Sequence, residues 1–162
     1  MWLKGDGKGG FRAMSAAQSG IRVWGEQRGS AVGDYDGDGR VDWCVAQNAG
    51  ATRLFHNVGG TPGLRVRLKG PAGNPTGIGA RIRLQFDKGD GAVREVHAGS
   101  GYWSQDAAVQ VMALPGPARK IRIDWPGGGR SELEIPPGAG EIEVSATAGL
   151  KEIKRTAPPS KP

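Results

Sequence analysis

The chain has a single cysteine, Cys44, in its 162 residues, so no intramolecular disulfide can staple it. Cys44 sits in the apolar run of Val41, Trp43 and Val45, where the expectation is a small buried core residue. Helical periodicity is almost as scarce: no stretch keeps a 3.6-residue apolar spacing beyond a turn or two, and only residues 12 to 19 suggest a single turn. No apolar run approaches the roughly 18 residues that a membrane-spanning helix needs. The opening Met1-Trp2-Leu3-Lys4-Gly5-Asp6 lacks the apolar stretch of an export leader. Aromatic residues are only 6%, and the cations behind the formal charge of +6 are dispersed, so the stacking platform and basic cluster of a nucleic-acid reader are missing. No G-x-S-x-G elbow is present, and with only two histidines, His56 and His97, the group Ser104, Gln105, Asp106 and His97 is not expected to form a hydrolytic triad.

Glycine (29) and proline (11) are plentiful and follow no three-residue period, which argues for many tight turns and against collagen. Between the turns, apolar and polar residues alternate with the period of two that half-buried strands impose. Leu64, Val66 and Leu68 alternate with Arg65, Arg67 and Lys69. Ile82, Leu84 and Phe86 alternate with Arg81, Arg83 and Gln85, and Ile121, Ile123 and Trp125 with Arg122 and Asp124. Shorter matches fall at 93–96, 109–112, 133–135 and 142–144. Lys88-Gly89-Asp90-Gly91 is expected to close a hairpin, and Pro115-Gly116-Pro117, Pro126-Gly127-Gly128-Gly129 and Pro136-Pro137-Gly138 to turn the chain further on. Such spacing predicts a small antiparallel β-sandwich over residues 63–146. Arg65, Arg67, Lys69, Arg81 and Arg83 are candidates to share one cationic face. Residues 1–58 differ in texture, with short strands flanking an acidic cluster, and residues 147–162 are expected to form a disordered tail. Tyr102 and Trp103 are expected to pack against a core edge or, less often, to meet a partner or sugar ring.

Asp34-Tyr35-Asp36-Gly37-Asp38-Gly39-Arg40-Val41-Asp42 is the most informative stretch. Four carboxylates within nine residues repel one another unless a cation neutralises them, and hard oxygen donors at alternate positions with glycine at the bend suit Ca2+. Asp34, Asp36 and Asp38 are the expected side-chain ligands, the Arg40 carbonyl a backbone ligand, and Asp42 the closing residue. The start matches an EF-hand, but the twelfth position is Val45 where that motif requires glutamate, and the flanks look like strands, not helices. A shorter loop between two strands remains. With no histidine, cysteine or second carboxylate pair placed beside it as a base, its expected work is structural: an ion that binds only the native state stabilises it.

The segment Gly33 to Asp42, followed by a strand and Thr52-Arg53-Leu54-Phe55-His56-Asn57, resembles an FG-GAP/VCBS repeat, and Gly5 to Phe11 resembles the close of a preceding repeat. That resemblance implies an integrin-type β-propeller blade with calcium held between two strands. Gly77-Ile78-Gly79-Ala80-Arg81, Arg94-Glu95-Val96, Ala98 to Gln105 and Asp124-Trp125-Pro126-Gly127-Gly128 are similar to the ASPIC/UnbV domain of cartilage acidic protein-like chains. One departure is Met112-Ala113-Leu114-Pro115, where that family carries a Phe-Gly-Leu-Gly-like segment; it bears on the turn after this strand. The expected fold is thus all-β, a partial propeller blade (1–58) followed by a sandwich (63–146). The resemblance implies a secreted or cell-surface, non-catalytic module for cell adhesion or for a protein or glycan ligand. The alternative is an accessory component of a secreted or biosynthetic enzyme system. Since a propeller closes with about four to eight blades, the chain is expected to be a C-terminal fragment. The remaining blades then lie upstream or in another chain, and an export signal belongs to the lost part.

Overall fold

Alternating strands bury one face each, and the computed structural model, which describes residues 2–154, shows how they pair. β1 (Trp2–Gly5) and β2 (Phe11–Met14) form an antiparallel hairpin. One helical turn follows, α1 (Ala16–Ser19), started by a capping box in which Ser15 accepts from the Gln18 N–H while the Gln18 side chain reaches back. β3 (Gln27–Gly33), β4 (Asp42–Gln47) and β5 (Gly50–Phe55) make an antiparallel three-stranded sheet. Trp43 holds these pieces together: its ring lies 5.8 Å from Trp2 and stacks at 5.5 Å on Phe55, its cross-strand neighbour. Little else is enclosed there, for Val45 is the one buried hydrophobic among the described residues of this region.

The larger core lies beyond residue 63. One sheet has the order β10-β6-β13-β14, comprising β6 (Leu64–Lys69), β10 (Gln110–Met112), β13 (Glu141–Ser145) and β14 (Gly149–Glu152). The second runs β12-β11-β7-β8, comprising β7 (Arg81–Phe86), β8 (Gly89–Asp90), β11 (Ala118–Asp124) and β12 (Arg130–Glu134), with β9 (Arg94–Glu95) also on β7. Val66, Ile82, Ile121, Ile123, Ile142 and Val144 are fully buried between the two sheets. Each such side chain contributes about 1.5–3 kcal/mol relative to exposure. The all-β architecture of a blade-like sheet plus a sandwich is therefore present, with no closed barrel among the described residues.

Several expectations need correction. One pair in the sandwich, β6 with β13, is parallel. The tail expected over 147–162 includes β14, which pairs antiparallel with β13 and half-buries Leu150; residues 155–162 lie outside the described residues. The hairpin near residue 88 turns at Asp87-Lys88, so Gly89 and Asp90 already belong to the return strand. Arg65 and Arg67 lie in one sheet and Arg81 and Arg83 in the other, so they form no common cationic face. Cys44 is only partly buried, because its neighbour Val45 takes the inward position on β4. After Met112 the chain bends at Pro115-Gly116, where the sequence departs from the family-like pattern.

The two regions are joined by specific contacts. On the outer edge of β3, the Val32 N–H donates to Asp106 Oδ1 (2.8 Å) and its carbonyl accepts from the Ala107 N–H (2.9 Å). The fit is close: a Cβ at Gly33 would come within 2.8 Å of the Ala107 Cβ. A third bond, from the Gly63 N–H to the Gly39 carbonyl (2.8 Å), fastens the acidic loop to the start of the sandwich.

Candidate metal centre

The acidic loop leaves β3 at Gly33 and enters β4 at Asp42, and its own side chains fold it. Gly39 N–H donates to Asp34 Oδ2 (2.7 Å), Asp38 N–H to Asp36 Oδ1 (3.2 Å) and Arg40 N–H to Asp38 Oδ1 (2.8 Å). These turns need left-handed backbone at Gly37 (φ 77) and Gly39 (φ 85), which glycine adopts without a Cβ penalty. Asp42, 2% exposed, accepts from the Tyr35 N–H through Oδ2 (3.1 Å) and from the Asn57 N–H through Oδ1 (2.8 Å).

Asp34, Asp36 and Asp42 each offer an oxygen, and these atoms lie within 4.8 Å of one another. Oxygens held at about 2.3–2.6 Å from one Ca2+ are separated by distances of that order. The Asp34 side chain is 1% exposed, and its Oδ1 has no hydrogen-bond partner. A buried acceptor left unpaired costs about 1–3 kcal/mol, more when charged, so the donor set fits a hard cation.

The remaining expected residues behave differently. Asp38 turns to the Arg40 guanidinium, with which it forms an ion pair, and to His56 Nε2 at 3.6 Å. Burial works to raise the Asp38 carboxyl, but the Arg40 N–H, the Arg40 charge and His56 outweigh it and hold the group below the usual carboxylate range. The Arg40 side chain takes part in the loop as well, its Nε donating to the Asn57 carbonyl (2.8 Å). A second group of ligand atoms, from Asp36, Asp38 and His56, lies within the same 4.8 Å limit, but Arg40 already neutralises Asp38 there.

Two of the groups thought missing from the loop's surroundings are in fact beside it. His56 Nε2 is 3.1 Å from Asp36 Oδ2, and its ring meets Tyr35 edge-on at 5.6 Å. Cys44 lines the same shallow recess as Asp34, Tyr35 and Asp42. The pairing of β4 with β5 carries His56 and Asn57 back to the loop, a closure that no local spacing shows.

Arg65 and Glu141 were also missed. The buried Arg65 guanidinium donates to Asp34 Oδ2 and, through Nε, to Glu141 Oε2 at 2.9 Å, while Arg67 reaches Glu141 Oε1 at 3.2 Å. Burial pulls the Arg65 pKa down, but the bonds to Glu141 and Asp34 more than restore it, so its charge is held firmly. The period-two pattern assigns Arg65 to a solvated face; Glu141 on the neighbouring strand and Asp34 in the acidic loop are what enclose it. Five carboxylates (Asp34, Asp36, Asp38, Asp42, Glu141) thus meet three guanidiniums (Arg40, Arg65, Arg67), and two negative charges are left when His56 is neutral.

Elsewhere, Ser104, Asp106 and His97 form no relay. Asp106 Oδ1 is bonded to the Val32 N–H, His97 Nδ1 sits 3.6 Å from Glu95, and Ser104 Oγ has no hydrogen-bond partner. Tyr102 and Trp103 do not pack at a core edge: they are 64% and 91% exposed.

The sandwich with its glycine-rich connections defines the class of protein: a small all-β domain preceded by a blade-like sheet. The family model described as ASPIC and UnbV matches residues 70–151, and the chain belongs to that family. A search of curated proteins finds no match.

Proposed function

We propose that this chain is a non-catalytic, extracellular calcium-binding interaction module, in which an FG-GAP/VCBS-type blade hairpin is fixed to the ASPIC/UnbV sandwich and presents loops to a protein or glycan ligand. The observation that carries this reading is the Asp34 carboxylate: buried, converging with Asp36 and Asp42, and left with one unpaired oxygen. Asp34, Asp36 and Asp42 would hold the ion, which supplies positive charge without taking part in bond-making. This chain's residues do the rest: Gly39 and Arg65 orient Asp34, while Tyr35 and Asn57 fix Asp42. The exposed Trp2, Leu3, Phe11 and Leu54 beside a thin core support a further β-blade as a neighbour of the first region.

Thermal unfolding with added CaCl2 and with EDTA tests the calcium claim. An ion at about 100 times its Kd stabilises the native state by about 2.7 kcal/mol, so the wild type melts several degrees higher in calcium and Asp36→Ala loses the difference. A melting curve that is the same in calcium and in chelator sinks the reading.

A further inference from the structure

Away from the acidic loop, residues 100–104 form a small raised hairpin. The Ser100 N–H donates to the Ser104 carbonyl (3.0 Å), and Gly101 bridges Ser104. Its tip carries Tyr102 and Trp103, with ring centroids 6.1 Å apart. Trp103 has φ 49, a left-handed conformation that bulky residues rarely adopt and that persists only where the surroundings enforce it. The enforcement is visible. The tip backbone lies against β3 so closely that a Cβ at Gly29 would sit 3.0 Å from the Tyr102 carbonyl and 3.3 Å from that of Trp103. Asp106 and Ala107 then fasten the following residues to Val32. The result is a pair of aromatic rings on a closely packed backbone, Trp103 almost wholly exposed and Tyr102 mostly so.

Ser100, at the base of this hairpin, also lines a cavity of about 420 Å³ whose other polar walls are Arg94, Glu95, His97, Asp106 and Gln110. The base of the hairpin therefore borders this cavity. Two features narrow the ligand. Carboxylates and an amide are planar groups able to bond adjacent hydroxyls, while an aromatic face suits the C–H face of a pyranose ring, apolar on one side and polar at its edge. The wall sets the single guanidinium of Arg94 against the carboxylates of Glu95 and Asp106, which does not favour an anionic chain.

We propose that Tyr102, Trp103 and the cavity behind them form a binding site for a neutral glycan, one pyranose stacking on the exposed tip and its neighbour reaching the polar wall. This rests on reading the chain as an interaction module and assigns that module a face and a ligand class.

Affinity gel electrophoresis of the whole chain through dextran, mannan, a soluble β-glucan and a galactan tests it, with heparin as the charged comparator. Retardation by at least one neutral polysaccharide is expected, weakened about tenfold or more in Trp103→Gly, the loss of about 1.4 kcal/mol of stacking. Glycine is at ease at positive φ, so the same variant should melt no lower than the wild type and keep its response to calcium; Tyr102→Ala provides a second lesion in the tip. No retardation by any neutral polysaccharide, retardation by heparin alone, or equal retardation of wild type and Trp103→Gly overturns the glycan site. A calcium-dependent melting shift without retardation leaves the module intact and removes only this ligand, whereas retardation without a calcium shift does the reverse.

Discussion

Replacing Arg65 with leucine probes the join between the two regions most directly. The guanidinium is buried, bonds Glu141 at 2.9 Å and Asp34 on the opposite side, and so ties the acidic loop to strand β13. Leucine fills much of the volume but leaves the acids behind. Glu141 keeps Arg67 at 3.2 Å, and Asp34 keeps the Gly39 N–H at 2.7 Å, yet Asp34 remains 1% exposed with no cation from the protein. Removing one partner of a buried ion pair costs about 3–5 kcal/mol; the surviving bonds place Arg65→Leu at about 3. At roughly 2–4 °C per kcal/mol for a chain of this size, Tm falls by about 10 °C in EDTA. On the proposed calcium reading, an ion at Asp34 would supply part of the missing charge, so the drop should be smaller with calcium than with chelator. Circular dichroism melts of wild type, Arg65→Leu, Asp34→Asn and the double variant, all in EDTA, complete a cycle whose coupling is expected to reach about 1 kcal/mol or more. A fall of less than about 3 °C, or strict additivity in the cycle, would refute the idea that this contact holds the regions together.

Other expectations follow the same reasoning. Ala49 turns β4 into β5 with φ 51, so Ala49→Gly relieves a left-handed strain of about 1 kcal/mol and raises Tm by a few degrees; a lower Tm would show that the strain is not released. Ile123 is fully buried between the sheets, and Ile123→Ala should cost about 2–5 kcal/mol in urea unfolding, a near-neutral result contradicting the assigned core. Hydrogen bonds from Arg119, Arg83 and Arg130 hold Asp87, Asp90 and Asp124 respectively below the ordinary value of 3.8. Groups with a depressed folded pKa stabilise the native state above the unfolded pKa and lose that contribution as pH falls through the folded value. Tm should therefore be insensitive to these groups above about pH 5 and fall through pH 4 and below. Because they lie at the surface, added salt should flatten that slope; a Tm that rises on acidification contradicts the assignment.

The sandwich was legible where burial and alternation coincide. Leu64, Val66, Ile82, Ile121, Ile123, Ile142 and Val144 all face inward as their period-two spacing predicts. β14 was not legible, since Gly149-Leu150-Lys151-Glu152 is too short and polar to stand out, and only pairing with β13 makes it a strand. The parallel register of β6 against β13 is equally nonlocal. In the acidic loop, local chemistry placed Asp34, Asp36 and Asp42 together, but it assigned Asp38 to the same cluster. Arg40, two residues on, pairs with Asp38 and His56 stands beside it, so Asp38 groups with Asp36 and His56 in the structure. His56, Arg65 and Glu141 are 22, 31 and 107 residues from Asp34 in number, and tertiary pairing brings His56 to Asp36, Arg65 to Asp34 and Glu141 to Arg65.

The capped edge of β3 has a consequence for assembly. With Val32 bonded to Asp106 and Ala107, the C-terminal end of that edge is already occupied and cannot template another strand there. The opposite border, β5, carries no second strand among the described residues and is exposed along nearly its whole length. A strand added to this sheet would therefore meet free backbone along β5, whereas at β3 it would have to displace the bonds that Val32 already makes.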